Sequence, residues 1–194
     1  MIELDHALSE PPELARFRRR YPDASWGEPE FGAIKPVVQR QLHFEQAGLC
    51  VYCEGSLAVD EGHLEHIQPR SAVPDRTFEY TNLAHSCNGS TPPQHCGHWK
   101  ADRPLPVEPR IECNQFFSFI GSDGNVVPAM GLSPEDRERA RGTIDVLGLN
   151  VPRLAHARRR YYEAARYLAD SDRDDFLQSQ PFRWTLRRAF PKSS

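Results

Sequence analysis

Between Ala33 and Gly48 the apolar residues Val37, Val38, Leu42 and Phe44 recur at helical spacing and Gly48 closes the run, so the pattern predicts a helix over 33–48. Residues 1–32 show scattered prolines and aromatics instead, and Pro22 and Pro29 limit any helix there. Gly55–Ile67 reads as a hairpin with Asp60-Glu61-Gly62 as its turn and His63–Ile67 as its second strand, stopped by Pro69. A stronger hairpin signal follows, where Phe117–Ile120 and Asn125–Val127 flank Asp123-Gly124. The last third changes to a helical period. Ser133-Pro134-Glu135-Asp136 supplies a cap, a proline at the first position and acids in the first turn. Ile144 and Leu147 mark that helix's buried side, and Gly148 ends it. A further helix begins at Asn150 or Val151, with Leu154, Tyr161, Ala165 and Leu168 as its core stripe and Arg158, Arg159, Arg160 and Arg166 on other faces. No repeat or low-complexity tract interrupts the chain. The expected class is α+β in three parts: an N-terminal extension and helix (1–48), a small core carrying the chemistry (49–103), and a hairpin with helices packed on that core (104–194).

Composition narrows the setting. The 194 residues are 39% hydrophobic and 26% charged, ordinary values for a soluble domain. No run is long enough to span a bilayer, and MIELDHALSEPPE is acidic rather than signal-like, so a cytoplasmic protein is expected. A formal net charge of −3 argues against a strongly basic nucleic-acid coat. A nuclease remains compatible with it, because only the surface facing the phosphates must be positive. The basic clusters Arg16–Arg20 and Arg153–Arg160 read as solvated helix faces.

Four of the five cysteines concentrate the chemistry. Cys50-Val51-Tyr52-Cys53 is a tight knuckle presenting two thiolates to one ion, and Cys87 and Cys96 supply a second pair across the loop NGSTPPQH. In a reducing compartment this favours structural zinc over disulfides. His95 and His98 are nearby substitute ligands, and Cys113 is spare, a small buried hydrophobe. Zinc closed by four thiolates cannot activate water, so any reaction must come from the residues between the pairs. There Glu65 and His66 are adjacent and Asn82 follows. Phosphodiester hydrolysis with one divalent ion needs a general base, a hard ligand for the ion, and something to hold the base. His66 fits the base, Glu65 a ligand for magnesium or manganese, and Asn82 a group that orders the loop or steers the histidine. His98 offers a further ligand. His63, His85 and His95 read as loop or supporting residues, and Lys100 either contacts phosphate or covers a helix end.

With CVYCE, HLEHIQPRS, NLAHSCN and CGHWKAD, the chain resembles HNH endonucleases with a zinc-stapled ββα-metal core, and more narrowly the PtuB-type nucleases of Septu anti-phage systems. TIDVLGLNVPRLAHARRRYY is similar to that family's C-terminal region, so the resemblance spans roughly residues 33–165. It implies a bacterial defence nuclease, DNA as the default substrate with RNA also open, and a PtuA-like ATPase partner. One position departs from the family pattern. Gly97 stands where a metal-binding His or Asn is expected, while Cys96 and Lys100 keep their spacing. The expectation is that His98 binds the catalytic ion with Glu65, with Asp102, four residues on and on the same helical face, as its rival. Two other classes compete. A zinc deaminase shares the H-x-E of His63-Leu64-Glu65, but places its cysteine pair after that motif, not before it. A non-catalytic zinc module that binds nucleic acid or protein explains the cysteines, but gives no reason for Glu65-His66 and Asn82.

Overall fold

The computed structural model describes residues 1–6 and 10–190. Helix α1 (Pro12–Arg20) and helix α2 (Pro29–Glu45) open the chain. The prolines that limit this region therefore bound its helices: Pro12 and Pro29 each sit in a first turn, where a missing N–H leaves no hydrogen bond broken. Helix α2 starts earlier than the expected 33–48 for that reason. It ends at Glu45, and Gly48, at φ 72°, returns its N–H to the His43 carbonyl at 2.9 Å.

Strand β1 (His63–His66) lies antiparallel to β2 (Leu83–Ser86), with His63 opposite Ser86 and His66 opposite Leu83. This corrects the expected Gly55–Ile67 hairpin. Its presumed first strand folds back on the cysteine knuckle: Leu49 bridges to Ser56, Cys50 N–H bonds Gly55 O, and Leu57 N–H bonds Gly48 O. With those backbone groups committed to closing the turn, β1 takes its partner from beyond Asn82. Helix α3 (Cys96–Lys100) completes a ββα unit. The chain then leaves helical geometry at Ala101, whose φ is 49°. Asp102 therefore lies beyond the helix, exposed, and does not share a helical face with His98.

Two cores hold this unit. On one face of β1–β2, Leu14 and Phe17 of α1 and Phe31, Val38 and Leu42 of α2 bury Leu64, Tyr80 and Leu83. On the other side the knuckle packs with Ile67 and Ala84 into a larger core shared with the C-terminal elements. Strands β3 (Phe117–Ile120) and β4 (Asn125–Pro128) pair as their Asp-Gly turn requires, with Gly124 at φ 81°. Helix α4 (Pro134–Leu147) carries the expected cap, Ser133 Oγ accepting from Asp136 N–H at 3.0 Å, and ends at left-handed Gly148. Helix α5 (Pro152–Arg166) follows, with Leu154 and Ala165 buried and Tyr161 and Leu168 half-buried. Arg159, Arg160 and Arg166 are exposed as expected, but Arg158 is buried. Its guanidinium donates to Leu149 O at 2.8 Å and Gly124 O at 3.4 Å, carbonyls that two neighbouring turns leave pointing inward.

Helices α6 (Asp170–Ser179) and α7 (Arg183–Arg187) close the fold. Buried Glu54, just after the knuckle, accepts from Trp184 N–H, Thr185 N–H, the Thr185 hydroxyl and the Met1 ammonium, and so ties α7 to the cysteine frame. Among the described residues no helix is long and apolar enough to cross a membrane.

Candidate active site

The four cysteines named from the sequence converge. Their sulfurs all lie within 4.8 Å of one another. Cys50 and Cys96 are 3.8 Å apart and Cys53 and Cys87 3.9 Å. A tetrahedral ion with metal–sulfur bonds of roughly 2.3 Å sets its sulfurs about 3.8 Å apart, whereas a disulfide needs about 2.05 Å. The donor set thus fits a metal such as zinc. Backbone N–H groups of Cys87 and Gly55 donate to the sulfurs of Cys50 and Cys53. Burial opposes ionising Cys50, yet hydrogen bonds from Cys53, Cys87 and Cys96 pull its pKa well below the usual thiol value. Cys87 and Cys96 are pushed up in turn, Cys87 chiefly by its bond to Cys50 and Cys96 chiefly by burial. Four thiolates so close together require a cation at the centre. His95 does not replace a cysteine. Its Nδ1 lies 3.0 Å from Cys96 Sγ, at the edge of the cage. Cys113 stays apart and buried, its pKa pushed up to about 12 mainly by burial.

Alternation along β1 divides the remaining candidates. Leu64 and His66 face the N-terminal helices, and His63 and Glu65 face the knuckle and α3. On the second face the Glu65 carboxylate is almost fully buried. Oε1 accepts from Lys100 Nζ at 2.9 Å and from the Tyr52 hydroxyl at 3.3 Å, while Oε2 lies 2.9 Å from His63 Nε2. Burial by itself would raise the Glu65 pKa. The His63 bond and the Lys100 charge outweigh it and hold the group below the ordinary carboxylate value, so Glu65 is an anion. Lys100 is not a surface phosphate contact: its ammonium is buried between Glu65 and the His66 carbonyl, and it also reaches the Ala101 carbonyl at the helix end at 3.4 Å.

On the first face, His66 Nε2 lies 2.9 Å from Thr77 O. A carbonyl only accepts, so the ring proton sits on Nε2 and Nδ1 carries the free lone pair. Burial lowers the His66 pKa to about 4, with the Arg70 charge adding and the Thr77 carbonyl opposing. The imidazole is therefore neutral across the physiological range. Asn82 is wholly buried and shuts the loop that presents Thr77: Nδ2 donates to Gln68 O and Arg76 O, and Oδ1 accepts from Gln68 N–H. It orders the loop whose Thr77 carbonyl meets His66. His85 is structural, its Nε2 bonded to Glu61 O at 2.7 Å.

His98 is exposed on α3. Its ring centroid lies 6.3 Å from that of His63, and the groups bonded to the Glu65 carboxylate are His63, Lys100 and Tyr52. The sequence reading missed Trp26, whose ring meets that of His66 edge-on at 4.2 Å. Lys35 Nζ and Arg70 Cζ stand 4.7 and 5.6 Å from the same indole, bringing two cations beside His66. No periodicity links Trp26 to a motif forty residues away. A tryptophan in an otherwise polar, proline-flanked loop was the only signal.

Small antiparallel sheets, a short helix and a sulfur cage, with an imidazole and a carboxylate on neighbouring positions of one strand, define an α+β protein of HNH-like build. No protein-family profile matches the chain. A protein of Vibrio cholerae serotype O1 biovar El Tor named "Retron Vc95 putative HNH endonuclease" is 36% identical over 172 residues, covering 81% of this chain and 82% of the relative. The chain belongs to the HNH endonuclease family.

Proposed function

We propose that the chain hydrolyses phosphodiester bonds in nucleic acid, DNA in the first instance, with His66 as general base and a divalent ion held through Glu65. The observation that carries this reading is the placement of the two groups on opposite faces of one strand. In-line displacement at phosphorus brings the nucleophile in on one side and lets the leaving oxygen depart on the other, so base and metal ligand belong on opposite sides. His66 Nδ1 takes the proton of the attacking water while Thr77 O keeps the Nε2 proton and the ring plane in place. His63 and Lys100 keep Glu65 ionised, and Lys100 and Tyr52 hold its Oε1 in place. A magnesium or manganese ion there supplies charge neutralisation at the phosphate and the leaving oxygen. Zinc in the four-cysteine cage holds β2, α3 and the knuckle in register and takes no part in the reaction.

The test is incubation of the zinc-loaded chain with supercoiled plasmid and with RNA under magnesium or manganese. Divalent-dependent nicking supports the reading. Binding without cleavage of either polymer, over a range of ions, favours the non-catalytic zinc module. We further propose an anti-phage setting of the PtuB kind with a PtuA-like ATPase partner. The quoted motifs support this; the relative's name ties that protein to a retron and not to a PtuB system. Co-expression with a neighbouring ATPase gene followed by size-exclusion chromatography should show co-elution, and independent elution opposes it.

A further inference from the structure

Gly97 stands where the family pattern has a ligand on the helix, and the structure shows what fills the space. A Cβ built on Gly97 would lie 2.5 Å from Glu65 Oε2 and 2.6 Å from His63 Nε2, with no room for either atom to remain. The region a side chain at 97 would enter is therefore already held by an imidazole nitrogen and a carboxylate oxygen, both brought from β1.

We infer that His63, not a residue of α3, is the imidazole ligand of the catalytic divalent ion, sharing it with Glu65. Three observations carry this. Residues 63 and 65 are two apart on a strand, so they share a face, the one toward α3. Their facing atoms, Nε2 and Oε2, are 2.9 Å apart. Adjacent ligands at about 2.1 Å from an octahedral ion lie roughly 3.0 Å from each other, so the pair already has the required spacing. The far side of the ring is also set for ligation. His63 Nδ1 is 3.2 Å from Asn88 Oδ1, an acceptor able to hold the ring proton there and free the Nε2 lone pair for an ion. In the metal-free chain a ring proton on Nε2 joins it to Oε2, and a divalent ion would take that proton's place. His63 is about one-third exposed, which leaves coordination positions open to water and phosphate, whereas Lys100 and Tyr52 already hold Oε1. Gly97 is then not a lost ligand. Its missing side chain makes room for the strand-borne one.

This inference rests on the nuclease reading, and its test is read by ion binding as well as by cleavage. Manganese binding to the zinc-loaded chain is measured by calorimetry and electron paramagnetic resonance, with circular dichroism and zinc content as fold controls. Loss of a group that merely supports a ligand costs about 10–100-fold in metal affinity, so His63→Ala should weaken manganese binding by about 100-fold or more. His98→Ala should leave it within about threefold. Gly97→Ala, whose Cβ would lie 2.5 Å from Glu65 Oε2 and 2.6 Å from His63 Nε2, should also weaken manganese binding by displacing both atoms. Absence of manganese binding by the unaltered chain, or its loss in His98→Ala with retention in His63→Ala, would overturn the assignment. If the unaltered chain binds manganese through His63 yet cleaves neither DNA nor RNA, the ion site stands and the nuclease reading falls.

Discussion

His66 and Lys100 show how much a single side chain's surroundings decide. His66 is held neutral by burial and oriented by Thr77 O, so its removal should abolish the chemistry while leaving the fold intact. His66→Ala should lower the cleavage rate by about 100- to 10,000-fold, with zinc content and melting temperature close to those of the parent. Plasmid nicking assays set beside a thermal melt check both halves. Lys100 is the opposite case. Its ammonium is paired with Glu65 in a place water hardly reaches, and Lys100→Ala strands a buried carboxylate. Removing one partner of such a pair costs about 3–5 kcal/mol, whereas a surface lysine would cost almost nothing. Urea unfolding of the variant decides between them. At this scale the residue types at 65, 66, 82 and the four cysteines were readable, because each chemistry admits few side chains. The environment of Lys100 was not, since nothing local says that an exposed-looking lysine ends α3 pointing inward.

Among elements, the N-terminal helices matter more than their sequence suggested. Helices α1 and α2 cover one face of β1, and the loop between them brings Trp26 against His66. Just before α1, His6 packs edge-on against Tyr80 at 5.1 Å, near Glu45 at the end of α2. Burial lowers the His6 pKa to about 4, with Arg110 adding and Asp5 opposing. Its unfolded value is about 6.5, so the unfolded chain binds the proton more tightly. Its contribution to stability is therefore complete above about pH 6.5, and is lost progressively as pH falls toward 4. Melting temperatures of the parent and of His6→Gln between pH 7 and pH 4 should show a shallower acid decline in the variant; parallel curves would remove His6 as the cause. The Asp-Gly hairpin and the Ser133 cap were legible because their signals are local. The pairing of β1 with β2 was not, because the partner strand lies beyond a sixteen-residue loop and contains only four residues.

For the molecule as a whole, the sulfur cage joins parts that have little else in common. It links the knuckle after α2, the end of β2 and the start of α3, and Glu54 beside it carries the restraint on to α7. A metal held in this cage would therefore contribute folding energy. Cys53→Ser, or chelation of the parent, should lower the melting temperature steeply or leave aggregated chain, as followed by calorimetry with metal analysis. Unchanged stability after stripping would remove zinc from the structural account. The sequence by itself determined the α+β class, the four thiols, the acid–imidazole pair, both ends of α4 and the start of α5, because these depend on residue chemistry and short-range backbone preference. Only the tertiary structure decided that Arg158 is buried, that Trp26, Lys35 and Arg70 gather around His66, and that His63 occupies the space beside Gly97. Those outcomes depend on which distant surfaces exclude water from one another, and no local pattern of polar and apolar residues encodes that.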